Sequence, residues 1–301
     1  MKKQEKIGVI LILISAALVG LFPVVVNRVT QTVPPITFAA LSSLFAAVGL
    51  FIYATLNGKL YELKKKKAYF PILMIAILIV IIPYTLFSIG ASQTSGINSS
   101  ILPLSEIIFT LIVTPFFGEK TTLEKIIGSL GVFIGAVLLL YNGNFQFNHG
   151  DFLIIVSTIT YPFGNFYTKK ALHLVSPCII LCVRFALGGL FMLMLSRVFE
   201  PTSNFTEILS LHWRSILLTG LVFLGIAKII SNEALKRLDI SKTTSLLMTS
   251  PLFSLIILIV FFKEIPSTFQ WLGIFVMAVG VYFSIKRSSV DPMLTKYRPL
   301  I

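Results

Sequence analysis

Leu104-Ser105-Glu106 opens an apolar run that closes on Phe116-Phe117-Gly118-Glu119, and the same figure returns as Thr249-Ser250-Pro251 closing on Phe261-Phe262-Lys263-Glu264. In each copy thirteen residues separate the Glu106 or Pro251 position from the closing glutamate. Nine residues beyond that glutamate stands Gly128 or Gly273, and sixteen beyond it stands Gly135 or Gly280. Earlier segments match as well: Ser15 with Ser157, Asn27 with Lys169, Pro35 with Pro177, and Ser42 with Arg184. The chain reads as a duplication, and the orientation of its two copies decides the fold.

Around these runs the composition is that of a membrane protein. Apolar residues make up 56% of the 301 positions and charged residues 12%, against about 25% charged in ordinary soluble chains. The mean hydropathy is +0.92. Apolar windows of roughly 18 to 22 residues recur along the chain, each long enough for a hydrocarbon core of about 30 Å. They predict ten helices at about 7–26, 36–56, 69–89, 97–117, 123–141, 152–170, 178–198, 214–234, 243–262 and 268–285. The N-terminal run is too long for a signal peptide and lacks a small-residue cleavage site, so it is read as a retained first span.

Five spans per half is an odd number, so the two copies must face opposite sides of the bilayer. The predicted fold is all-α: ten transmembrane helices in two inverted five-helix repeats, residues 1–145 and 146–290, with a cytoplasmic tail at 291–301. Lysine and arginine placement sets the orientation. With both termini in the cytoplasm, nineteen basic residues fall inside and four outside (Arg28, Arg197, Arg214 and Lys263), leaving Arg184 and Lys228 within spans. That segregation also explains the net charge of +13 without a nucleic-acid partner. The Lys64–Lys67 run reads first as a topology signal, with contact to anionic lipid as the alternative. Cys178 and Cys182 lie one helical turn apart in an apolar run, so neither a structural disulfide nor a metal site is expected.

Ten spans in two inverted halves, with runs closing on Phe-Phe-Gly-Glu119 and Phe-Phe-Lys-Glu264, resemble the drug/metabolite transporter superfamily, and within it the EamA-type carriers. Ser176-Pro177 leading to Arg184-Phe185 resembles the start of the second span of an EamA repeat. Ala234-Leu235-Lys236-Arg237-Leu238 through Ser250-Pro251-Leu252-Phe253 resembles its third-to-fourth span passage. The first half departs from the pattern: Ser42-Ser43 stands where Arg-Phe is usual, and Glu106 stands where Pro is usual. The resemblance implies a secondary carrier of small polar metabolites in the cell (inner) membrane, with amino acids prominent among substrates and export the favoured direction. Drugs, nucleosides and sugars are the alternative cargoes, and a non-transporting membrane partner is the alternative role.

Charged groups inside a span are costly and mark function or pairing. Glu106, near the middle of its span, is a candidate to bind a substrate ammonium or carry a coupling proton; the alternative is a structural ion pair or hydrogen bond. Arg184 is a candidate partner for a substrate carboxylate, or else snorkels near the cytoplasmic face. Lys228 either contacts Glu233 or faces a central cavity. Tyr161 and Asn165 share a helix face and fit substrate contact or a bond between helices. The Gln93–Ser99 cluster reads as an outer turn with capping groups. Pro23, Pro83, Pro103, Pro162 and Pro251 lie within spans and permit kinks.

Glu119 and Glu264, with Pro251, Gly128 and Gly273, are read as the architectural residues of the repeat, the glutamates capping a helix or closing a bundle. Gly131 and Gly135 form a GxxxG pair suited to close helix packing, with a homodimer contact as the lesser alternative. No Walker-type loop occurs, and no cofactor or metal is expected. An intramembrane hydrolase would need a buried catalytic set; His149, His173 and His212 all fall in or beside predicted loops.

Overall fold

A computed structural model of the chain describes residues 3–119, 122–140, 147–201, 204–250, 252–253 and 268–286, and every regular element among them is helical. Six stretches are long and apolar enough to cross a bilayer: Gln4–Thr30, Pro35–Leu56, Lys66–Ser92, Asn98–Phe117, Pro177–Phe199 and Phe205–Leu235. The other expected windows also contain helix: α8 (Leu123–Leu140), α9 (His149–Thr158) with α10 (Tyr161–Leu172), α14 (Ile240–Leu247) and α15 (Thr268–Lys286). Pro251 and residues 254–267, including Lys263 and Glu264, lie outside the described residues. Large apolar side chains such as Phe51, Phe191, Met194, Phe275 and Tyr282 are exposed along the helices. In water such a surface would aggregate; in lipid it is the outer face of a helical bundle, whose backbone groups must all be satisfied internally.

The prolines mark where helices break. α1 (Lys3–Val19) stops two residues before α2 (Phe22–Thr30), which carries Pro23 in its first turn. Pro103 sits in a 3-10 turn, Leu102–Ser105, ahead of α7 (Glu106–Val113). Pro162 opens α10 after a break following Thr158. Pro83 starts α5 (Ile82–Ser92), which continues α4 (Tyr69–Ile75) through a π-helical segment, Ala76–Ile81. A missing N–H and a ring that clashes with the preceding turn account for each interruption. A second π segment, Leu218–Ile226, joins α12 (Phe205–Leu217) to α13 (Ala227–Leu235). These wide turns, frequent at functional sites, stand just before Tyr84 in one case and Lys228 in the other.

Two antiparallel pairs organise the packing. α3 (Pro35–Leu56) and α11 (Pro177–Phe199) lie side by side, with Ala39, Ala40, Ala46, Ala47 and Leu50 meeting Leu181, Cys182, Phe185 and Met192 in one buried cluster. Each helix begins with proline, which presets the first turn. Each has its free N-terminal amides met by a carboxylate that follows the other helix. Glu200 accepts from the backbone of Ile36 and Thr37, both at 2.8 Å, and from the Thr37 hydroxyl at 2.7 Å. Glu62 accepts from Ser176 N at 2.6 Å. Burial alone would raise the Glu62 carboxyl; the Ser176 bonds and the Lys65 and Lys59 charges outweigh it and hold the group below its ordinary value. A negative charge at each helix start also complements the helix dipole.

The second pair is α8 with α15, and glycine sets its spacing. A Cβ on Gly131 would stand 2.8 Å from Gly280 Cα, one on Gly135 would stand 2.5 Å from Met277 N and 2.8 Å from Gly273 O, and one on Gly280 would stand 2.8 Å from Gly128 O. The duplicated glycines therefore face each other across a backbone-to-backbone contact, the small-residue packing that drives helix association in lipid. The Gly131/Gly135 face is filled by α15 of the same chain, which leaves no room there for a second copy.

Candidate functional site

The helix breaks border a cavity whose space, counted together with the open solvent at its mouth, is about 1160 Å³. Its wall draws on both halves of the sequence. Val19, Phe22 and Pro23 come from the break between α1 and α2, Tyr84 and Phe87 from α5, and Pro103, Leu104 and Glu106 from the start of α7. Tyr161 and Asn165 of α10, Arg184 of α11, Lys228, Ser231 and Asn232 of α13, and Thr243 and Thr244 of α14 complete it. Lys228, Ser231, Asn232 and Leu235 follow the i, i+3, i+4, i+7 spacing of one helix face, so α13 turns a single polar stripe inward.

All five residues singled out for binding or coupling line this one space: Glu106, Arg184, Lys228, Tyr161 and Asn165. Glu106 is 7% exposed and is held from two helices. Asn165 Nδ2 donates to its Oε1 at 3.3 Å, and the Thr244 hydroxyl donates to the same oxygen at 3.4 Å. It forms no ion pair with Arg184 or Lys228 among the described residues. Lys228 does not pair with Glu233, whose carboxylate binds Lys236 and Arg237, each at 2.8 Å. Arg184 is 2% exposed; its guanidinium stands 4.8 Å from the Phe185 ring centroid. Tyr84 and Tyr161 share the cavity wall with Arg184 and Lys228.

An aromatic group borders the charged part. Phe22 stacks on Phe87 with centroids 5.7 Å apart, meets Phe223 edge-on at 6.0 Å and lies 6.3 Å from Tyr84, which in turn lies 6.2 Å from Phe185. A buried ionic cluster lies apart from the cavity. Glu119 accepts from Ile240 N at 2.6 Å and from the Ser241 hydroxyl at 2.6 Å, which caps α14. Lys125 stands 2.8 Å from Asp239 and 3.7 Å from Glu119, and Lys242 stands 2.6 Å from Glu5. Gly118, at φ 84°, makes the left-handed turn that precedes Glu119. Gly128 and Gly273 lie in the α8–α15 contact. Glu264 and Pro251 lie outside the described residues.

The Gln93–Ser99 cluster forms a separate polar knot. The Ser95 hydroxyl accepts from Asn98 N, Thr94 and Asn98 donate to Asp151, Asn27 donates to Ser99, and Gln93 meets His149. Sequence reasoning did not single out Tyr84, Thr244, Ser231 or Asn232 for the cavity. The spacing of Ser231 and Asn232 from Lys228 carried that signal; Tyr84 and Thr244 had none beyond being polar-tipped residues near apolar runs.

The arrangement is that of a multi-pass helical membrane protein with a charged cavity in its interior. The EamA-like transporter family matches residues 6–141 and again residues 148–286, and the chain belongs to that family: it is a membrane transporter rather than an enzyme. An uncharacterized transporter of Methanothermobacter thermautotrophicus is 23% identical over 91% of this chain and 85% of its own length. The uncharacterized transporter YoaV of Bacillus subtilis is 22% identical over 83% of this chain and 87% of its own. One solved crystal structure superposes with a TM-score of 0.74 over 91% of this chain and 95% of that one at 17% identity, a likeness of fold.

Proposed function

We propose that the chain is a secondary transporter that moves a small polar metabolite, an amino acid or a close relative, across the cell membrane by alternating access, with export as its working direction. The observation that carries this reading is the interior cavity, where Glu106, Arg184 and Lys228 meet in a space walled by both halves of the sequence. Carriers built from inverted repeats hold substrate at such an interface between broken helices. The two halves are residues 1–145 and 146–290, each of five spans, with residues 291–301 as a tail. Support comes from the double family match, the two π segments, the reciprocal Glu62 and Glu200 caps, and the glycines that face each other. Both termini lie in the cytoplasm, as the distribution of lysine and arginine requires. Within the cavity Glu106 takes the substrate ammonium or a coupling proton, Arg184 and Lys228 take its acidic end, and Tyr161 and Asn165 shape the wall.

The test is flux of labelled amino acids through purified protein in lipid vesicles, with and without an imposed pH gradient. Saturable flux above that of protein-free vesicles, changed by the gradient, is expected. Absence of flux for every amino acid would set this reading aside.

A further inference from the structure

The charges lining the cavity do not balance. Among the described lining residues Arg184 and Lys228 are formally cationic and Glu106 formally anionic, which leaves one positive charge in excess. Arg184 Nε is buried with no hydrogen-bond partner, and among the described residues neither Arg184 nor Lys228 has a carboxylate within ion-pair distance. Buried charges are ordinarily paired. Other described carboxylates are paired elsewhere: Glu233 with Lys236 and Arg237, Asp239 and Glu119 with Lys125, Glu5 with Lys242. Both bonds to Glu106 among the described residues end on Oε1, which leaves Oε2 to meet a donor arriving in the cavity.

We infer that the cargo is an amino acid with a second acidic group, whose two anionic ends face Arg184 and Lys228 while its ammonium faces Glu106. The inference rests on the carrier reading above and narrows its substrate. An ammonium is a triple donor that suits the open Glu106 oxygen, and a guanidinium offers a planar fork to a carboxylate. Tyr84 and Tyr161 line the same space and add hydroxyl groups to its wall. A neutral amino acid would satisfy Glu106 but leave one cation without a counter-charge. A dicarboxylate lacking the ammonium would satisfy the cations but meet the Glu106 carboxylate with nothing to donate.

The experiment is competition in the vesicle flux assay with unlabelled L-glutamate, L-aspartate, L-leucine and succinate, using wild-type protein and Lys228→Gln. Glutamate or aspartate should compete at least tenfold better than leucine and succinate, and Lys228→Gln should lower that preference over leucine at least fivefold. Should the variant fail to fold, the wild-type ranking alone decides. Leucine competing as well as the acidic amino acids would overturn the inference and leave the carrier reading standing. Succinate competing as well as glutamate would overturn the role given to the ammonium. Absence of flux for all amino acids would remove the amino-acid reading of the cargo and the inference with it.

Discussion

Glu106→Gln is expected to lower gradient-driven flux by about ten- to hundredfold while leaving the protein folded, because a hydrogen bond to a charged group contributes about 1.5–3 kcal/mol and each 1.4 kcal/mol is tenfold. The substitution keeps the size of the side chain and an oxygen that can accept from Asn165 and Thr244, the two donors that hold Oε1. What it removes is the negative charge at Oε2. A structural role for Glu106 would survive this change, since both hydrogen bonds can persist. A role in binding an ammonium or carrying a proton would not. Flux at the wild-type rate, with the same dependence on the pH gradient, would assign Glu106 to architecture. The same assay on Asn165→Ala separates the two functions of the wall, since that change removes a donor to Glu106 without removing the charge.

Gly135→Leu is expected to destabilise the bundle by about 1–3 kcal/mol or more, the usual cost of overpacking, read as a fall of roughly 5–10 °C in Tm. The first atom added at this position would stand 2.5 Å from Met277 N and 2.8 Å from Gly273 O. Both neighbours are backbone, so no side-chain rotation relieves the clash and α8 and α15 must move apart. Separating them also loses the close dispersion contacts that substitute for hydrophobic driving force in lipid. Leu130, on the same helix but exposed, provides the control: Leu130→Ala should leave Tm within about 2 °C, because surface changes are usually worth less than 0.5 kcal/mol. A Gly135→Leu protein with wild-type Tm would show that the glycine contact does not set the helix spacing.

The outline of the fold was legible because lipid imposes strong rules. Long apolar windows, a glutamate–glycine figure written twice, and basic residues on alternate loops are each visible without coordinates. Glu106, Arg184 and Lys228 stood out for the same reason, as charges where charge is costly. What the sequence concealed is how they meet. An ion pair between Glu106 and one of the cations was a natural expectation, whereas the structure holds Glu106 by an amide and a hydroxyl. Thr244 is one of many hydroxyls in apolar surroundings, and nothing local distinguishes it. The reciprocal caps at Glu62 and Glu200 were hidden differently. Each glutamate lies between two spans, Glu62 in a short 3-10 turn just ahead of a lysine run, and its partner amides are more than a hundred residues away. Pro23, Pro103 and Pro162 stand at helix breaks, as kink-permitting residues can, but whether each break bends a helix or opens a wall depends on its neighbours.

On the proposed function, solute crosses through the cavity lined by Phe22, Arg184 and Lys228. The most direct measurement is thiol blocking of a cysteine at a cavity-lining position, Ser231→Cys, in a background with the buried Cys178 and Cys182 replaced by alanine. Amino-acid flux is read before and after treatment with a small methanethiosulfonate reagent. The account predicts that the reagent abolishes flux and that excess substrate protects against it. Complete labelling of the introduced cysteine with flux unchanged would contradict it, since a plugged cavity could not then be the path.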